Sequence, residues 1–130
     1  MFIVNPASSK PIYQQIIEDI KEKILKGIIT PGEKLPSVRE LAKMITINPN
    51  TIQRAYQELE REKVIVTIRG KGTFISTEYQ PKRNQEEINE LKDRIKKELV
   101  EARYMGLQRE DILELVAGLL DQLEGGIEID

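Results

Sequence analysis

Apolar residues in the first third of the chain recur at helical spacing. In "KPIYQQIIEDIKEKILKGII", Ile16, Ile17, Ile20, Ile24 and Leu25 fall three and four apart, which marks one buried stripe. Pro11 suits the first turn and Gly27 the position just past the last one, so the pattern predicts a helix with both ends marked. "TPGEKLP" breaks the period and reads as a turn around Pro31 and Gly32. "SVRELAKMI" predicts a short second helix: Ser37 can cap it, Glu40 stands where a capping box needs it, and Val38, Leu41, Ala42 and Ile45 form its apolar side. After the connection "TI", "NPNTIQRAYQELEREK" predicts a third helix, with Asn48 as cap and Pro49 at the first helical position. Ile52, Ala55, Tyr56 and Leu59 share one face of it. Asn50, Thr51, Gln53 and Arg54 lie near its start, off that face.

The period then changes. "VIVTI" is short and β-branched and reads as a strand, "RGKG" is turn chemistry, and "TFIS" is a second strand; together they predict a hairpin. "TEYQPKRNQEE" has no period and reads as a linker. Beyond it, Ile88, Leu91, Ile95 and Leu99 stripe one helix, Gly106 interrupts it, and Ile112, Leu113, Leu115, Val116, Leu119, Leu120 and Leu123 fill a second that ends at Gly125 and Gly126. That last apolar face is wider than a hairpin partner covers. Roughly 50 residues are also too few for an independent core. Either the first domain or a second copy of the chain supplies the cover. The reading adopted is a homodimer, through Leu91, Ile95, Leu99, Ile112, Val116, Leu119, Leu120 and Leu123. The fold class is α+β, mostly α, with a first domain at 1–77, a linker at 78–85 and a two-helix domain at 86–130.

Composition narrows the chemistry. The 130 residues contain no cysteine and no histidine. Disulfides and thiolate metal sites are excluded, and the commonest general base and transition-metal ligand is missing. No apolar run approaches the roughly 18 residues of a membrane span, and no secretory leader is evident, so the expectation is a cytoplasmic protein without membrane partners. The net charge of −2 hides a division: residues 1–80 hold 12 basic and 9 acidic residues, a balance of +3, whereas residues 81–130 hold 8 and 13, a balance of −5. The basic excess surrounds the hairpin.

"RGKGTFI" poses the chemical question, because it presents Lys71 between two glycines. A phosphate loop of the Walker type is excluded: Ser or Thr should follow the lysine where Gly72 stands, and Ile65 occupies the position of the leading glycine. A wing pressed against DNA fits better. Three helices followed by a hairpin make a winged helix-turn-helix, whose second motif helix enters the major groove by its N-terminal end. Asn50, Thr51 and Gln53 carry donors and acceptors suited to base edges, Arg39 reaches phosphate or guanine, and Lys71 meets the backbone. The candidate DNA-binding set is Ser37, Arg39, Asn50, Thr51, Gln53, Arg54, Arg69, Lys71 and Gly72. Two other classes compete. A winged helix can serve as a protein–protein adaptor without DNA readout. Glu110, Asp111 and Glu114 could hold a metal for hydrolysis, but acids in a first helical turn are accounted for by the helix dipole. No catalytic residue, metal or cofactor is expected.

Residues 2 to about 77, with "LPSVRELA", "NPNTIQRAYQELE" and "RGKGTF" in order, closely resemble the DNA-binding domain of GntR-family bacterial transcription regulators. The short tail resembles the YtrA branch, whose effector domain is reduced to about two helices. The resemblance implies a homodimeric repressor of a palindromic double-stranded operator. It carries DNA contacts over to Arg39, Asn50, Thr51, Gln53, Lys71 and Gly72. Genes of that branch often accompany ABC-transporter genes, which implies a transport or envelope-stress operon. Other branches place basic residues where Pro49 and Gln53 stand here, so their operator sequences do not transfer. Two short helices enclose no pocket of the usual size, and any small-molecule effector is expected between subunits.

Overall fold

In the computed structural model, residues 4–78 and 84–125 are described, and they fall into two compact units. Within the linker, residues 79–83 lie outside the described residues, as do 126–130 at the end of the two-helix domain.

The first helix, α1 (Ile12–Leu25), starts one residue later than its sequence suggests, and Pro11 serves as the cap rather than within the first turn. Ile16, Ile17 and Ile20 are buried and Ile24 packs partly against them. Leu25, expected in the same stripe, is 67% exposed. It lies about 100° further round the helix than Ile24, outside the arc that faces the core. Gly27 ends the helix at φ +74°; its N–H donates to Ile24 O (3.1 Å), and that of Ile28 donates to Lys23 O (2.9 Å). This left-handed closure satisfies carbonyls the helix leaves open.

The segment read as a plain turn contains a strand. β1 (Lys34–Leu35) pairs antiparallel with β3 (Gly72–Ile75), which pairs in turn with β2 (Ile65–Ile68). The expected two-stranded hairpin is therefore a three-stranded sheet in the order β1-β3-β2. Leu35 opposes Thr73 and is buried, as are Ile65 and Ile75, so this face of the sheet closes the core.

α2 (Val38–Ile45) and α3 (Pro49–Arg61) complete the first unit. Leu41, Ala42, Ile52, Ala55, Tyr56 and Leu59 are all buried. The fourteen buried hydrophobic residues of the described chain all precede residue 76, and no polar side chain among the described residues is buried with them.

The second unit contains α4 (Gln85–Tyr104) and α5 (Arg109–Glu124). Asn84 caps α4, its side chain accepting from Glu86 N at 2.9 Å. Gly106, at φ +94°, turns the chain between the helices as its place in the sequence suggests. Neither helix contains a buried residue. They share an open apolar groove of about 380 Å³ beside the turn, roomier than two short helices were expected to offer, lined among others by Ile95, Leu99, Met105, Ile112 and Val116. Among the described residues, no helix is long and apolar enough to cross a membrane.

Candidate nucleic-acid interface

The connection between α2 and α3 is three residues long, Thr46 to Asn48, a length typical of helix-turn-helix motifs. Thr46 turns it in the left-handed region (φ 55°), and Ile47 anchors it against the core. Asn48 then starts α3: its side chain accepts from Asn50 N at 2.8 Å, which points the first turn outward. Asn50 and Gln53 are exposed and Thr51 is half-buried. No hydrogen bond engages any of these three side chains among the described residues, so their donors and acceptors face solvent.

The start of α2 is built to be rigid. Ser37 Oγ accepts from Glu40 N (3.1 Å), and Glu40 Oε1 accepts from Ser37 N (3.0 Å), which forms the capping box read from the sequence. The Ser37 backbone hydrogen bond, with help from its side chain, holds the Glu40 carboxyl below the usual carboxylate range. Ser37 is therefore engaged with Glu40 as a cap. Arg39 is exposed in the same turn, without a protein partner among the described residues. Tyr56 ties α3 to this region by donating to Pro36 O at 2.7 Å. Burial, and secondarily the charge of Glu40, pushes its hydroxyl well above the usual tyrosine range.

Arg54 is placed differently from its neighbours. Its guanidinium lies 3.8 Å from the centroid of the Tyr13 ring, a cation–π contact that draws it toward α1. The remaining candidates form the wing. Arg69, Gly70 and Lys71 make the turn between β2 and β3, closed by Lys71 N donating to Ile68 O at 2.9 Å. Gly70 adopts φ +80° and Gly72 φ +125°, and Arg69 and Lys71 are exposed. One cation near the wing escaped the sequence reading. A Cβ on Gly72 would stand 2.8 Å from Lys34 Cε, so the β1 lysine lies across the glycine. The signal was hidden because Lys34 sits in a segment that reads as turn.

The candidate DNA-binding residues thus occupy the start of α2, the start of α3 and the wing turn, all in the first unit. The dimerisation candidates occupy the second, and each is exposed or half-exposed. Among the described residues, no cluster of three or more acids could hold a metal, and Asp111 instead accepts from Gln108 N (2.8 Å) at the start of α5.

Comparison with known proteins places the fold. The model of the bacterial regulatory proteins of the gntR family matches residues 12–75, from the start of α1 to the end of β3. The chain is 44% identical over 130 residues to the HTH-type transcriptional repressor YtrA of Bacillus subtilis (strain 168), and the match covers all of both chains. Among solved structures it is similar to a transcriptional antiterminator from Listeria monocytogenes EGD-e, with a TM-score of 0.85 at 39% identity, covering 100% of this chain and 97% of that one. It is also similar to the DNA-binding domain of AraR in complex with operator ORX1, with a TM-score of 0.51 at 30% identity, covering 57% of this chain and 92% of that one. The three motifs, the winged helix-turn-helix and the full-length relative converge: this chain belongs to the GntR family of DNA-binding bacterial transcription regulators.

Proposed function

We propose that the protein is a homodimeric repressor that reads a palindromic operator with the start of α3 and steadies itself on the backbone with the wing. The observation that carries this reading is the outward, unpaired set Asn50, Thr51 and Gln53 at the end of the helix a helix-turn-helix inserts into the major groove. Arg39 reaches phosphate or a guanine edge, Gln53 suits an adenine edge, and Lys71 and Arg69 supply positive charge at the wing. The working division is a DNA-binding domain at 1–77, a linker at 78–85 and a dimerisation domain at 86–130.

The apolar stripes of α4 and α5 support the dimer. Leu91, Ile95, Leu99, Val116, Leu119 and Leu120 are each more than a third exposed, and a unit this small has too little core to stand alone. A second copy covers them, and two α3 helices then address half-sites about 10 bp apart or a multiple of it. An effector, where one acts, binds between subunits. The test is anisotropy binding to a duplex from the upstream region of the protein's own gene against a scrambled duplex. Specific binding should exceed non-specific by about a thousandfold or more. Gln53→Ala should cost about 1–3 kcal/mol on the specific duplex and little on the scrambled one. Equal loss on both duplexes would remove Gln53 from base readout.

A further inference from the structure

The register of the sheet assigns its faces. Lys34 opposes Phe74 and Val66 opposes Phe74, while Ile68 opposes Gly72. Because side chains alternate along a strand, Lys34, Val66, Ile68, Gly72 and Phe74 share the outer face, opposite the face on which Leu35, Ile65 and Ile75 are buried. Lys34 and Gly72 are then diagonal neighbours across an antiparallel pair, within reach of a long side chain.

The reach is used. With no side chain at Gly72, the Lys34 stem crosses that position: its Cε would be 2.8 Å and its Nζ 3.5 Å from a Cβ placed there. The stem therefore runs along β3 toward the wing turn, and the residue next to Gly72 on that side is Lys71. Gly72 adopts φ +125°, a backbone state that suits only glycine, so the slot is built into the conformation of the strand. Among the described residues, Lys34 forms no ion pair with any carboxylate. The Lys34 charge helps, as the smallest of the causes, to lower the Glu40 carboxyl, but a lysine whose stem rests on a strand and whose ammonium is held in no direct ion pair is set to receive an anion from outside.

We propose that Lys34 is a phosphate-binding cation of the wing, acting beside Lys71 and Arg69 on a nucleic-acid backbone, and that Gly72 is the slot that aims it. This rests on the DNA-binding reading above and adds a positioned contact to it. It also gives Gly72 a second reason to lack a side chain, beyond close approach of the main chain to DNA.

The test uses the full chain and a labelled random-sequence duplex, with affinity followed by anisotropy between about 50 and 200 mM salt. Each phosphate neutralised contributes about 0.9 to the slope of log affinity against log salt. Lys34→Met keeps the stem and removes the charge; it should flatten the slope by about that amount and weaken all duplexes alike. Lys34→Arg should retain the slope. Gly72→Ala should flatten it too, and should change the slope no further in the Lys34→Met background, because the ammonium it displaces is already gone. Lys71→Met is the reference, and thermal melts by circular dichroism confirm that each variant folds. A wild-type slope in Lys34→Met, with a flattened slope in Lys71→Met, overturns the proposal while leaving the DNA-binding reading intact. Additive losses of slope from Gly72→Ala and Lys34→Met overturn the role of the slot. A wild-type chain that binds no duplex overturns both the proposal and the reading beneath it.

Discussion

The two units of the chain solve the problem of apolar surface in opposite ways. The first gathers fourteen buried hydrophobic residues, twelve from three helices and three short strands and two, Ile29 and Val64, from the connections, and residues as distant as Leu35 and Ile75 close it together. The second carries a similar density of leucine, isoleucine and valine yet buries none of it; Leu119 remains 52% exposed. Hydrophobic content alone does not make a core. A core needs elements that approach from several directions, and two helices joined by one turn offer too few. The first unit is complete as a folding unit, while the second leaves its apolar stripes uncovered.

The most damaging change to this contrast is Leu119→Glu. It places an unpaired carboxylate from each subunit in the proposed interface, at a cost of several kcal/mol. Light scattering should report half the mass, operator affinity should fall, and the melting of the first unit should stay as it was. A persistent dimer would remove this face of α5 from the interface. The converse change is Leu59→Ala. Leu59 is fully buried, and truncation should cost the first unit about 2–5 kcal/mol in urea titrations.

Smaller substitutions sharpen the picture within the first unit. Tyr56→Phe removes the hydrogen bond to Pro36 O and should cost about 1–3 kcal/mol, since it leaves a carbonyl without its donor. The same residue sets an alkaline limit. Its hydroxyl loses its proton less readily when folded than when unfolded, where the pKa is about 10. Its contribution is therefore fully present below about pH 10 and is lost as the pH rises toward the folded value. Urea titrations at about pH 8 and pH 11 should show the wild type losing more stability than Tyr56→Phe between those two conditions. The smallest expected effect is a gain. Lys63 closes α3 at φ 64°, a conformation that strains a residue with a Cβ. Lys63→Gly should raise stability by about 1 kcal/mol, read as a higher urea midpoint.

Much of the fold was legible in the sequence because its cues are local. Ser37 with Glu40, Asn48 with Pro49, and the glycines at 27 and 106 mark helix ends within four residues of their partners, and each was found where it was expected. What stayed hidden depends on contacts between distant residues. β1 is two residues long, and nothing in "EKL" announces a strand until Phe74 and Thr73 come alongside, some forty positions later. The Arg54–Tyr13 stack spans a similar separation, so the sequence grouped Arg54 with Asn50 and Gln53 although its guanidinium turns toward α1. Leu25 failed for a different reason: spacing places a residue on a helix face, but the edge of that face is set by the neighbours it meets. Lys34 combined both difficulties, since its role depends on a strand that was not foreseen and on a missing side chain across the sheet.

The hydrogen bond from Tyr56 to Pro36 also bears on how such a regulator could be switched. It fastens the middle of α3 to the residue before the α2 cap, so the probing helix and its supporting turn behave as one stiff jaw. A jaw of that kind does not change its grip by flexing. In the proposed dimer, two of them joined through the helical unit would act as a caliper, whose setting is the distance between the jaws. On that proposal, control of binding would belong to the part of the chain that lacks a core of its own.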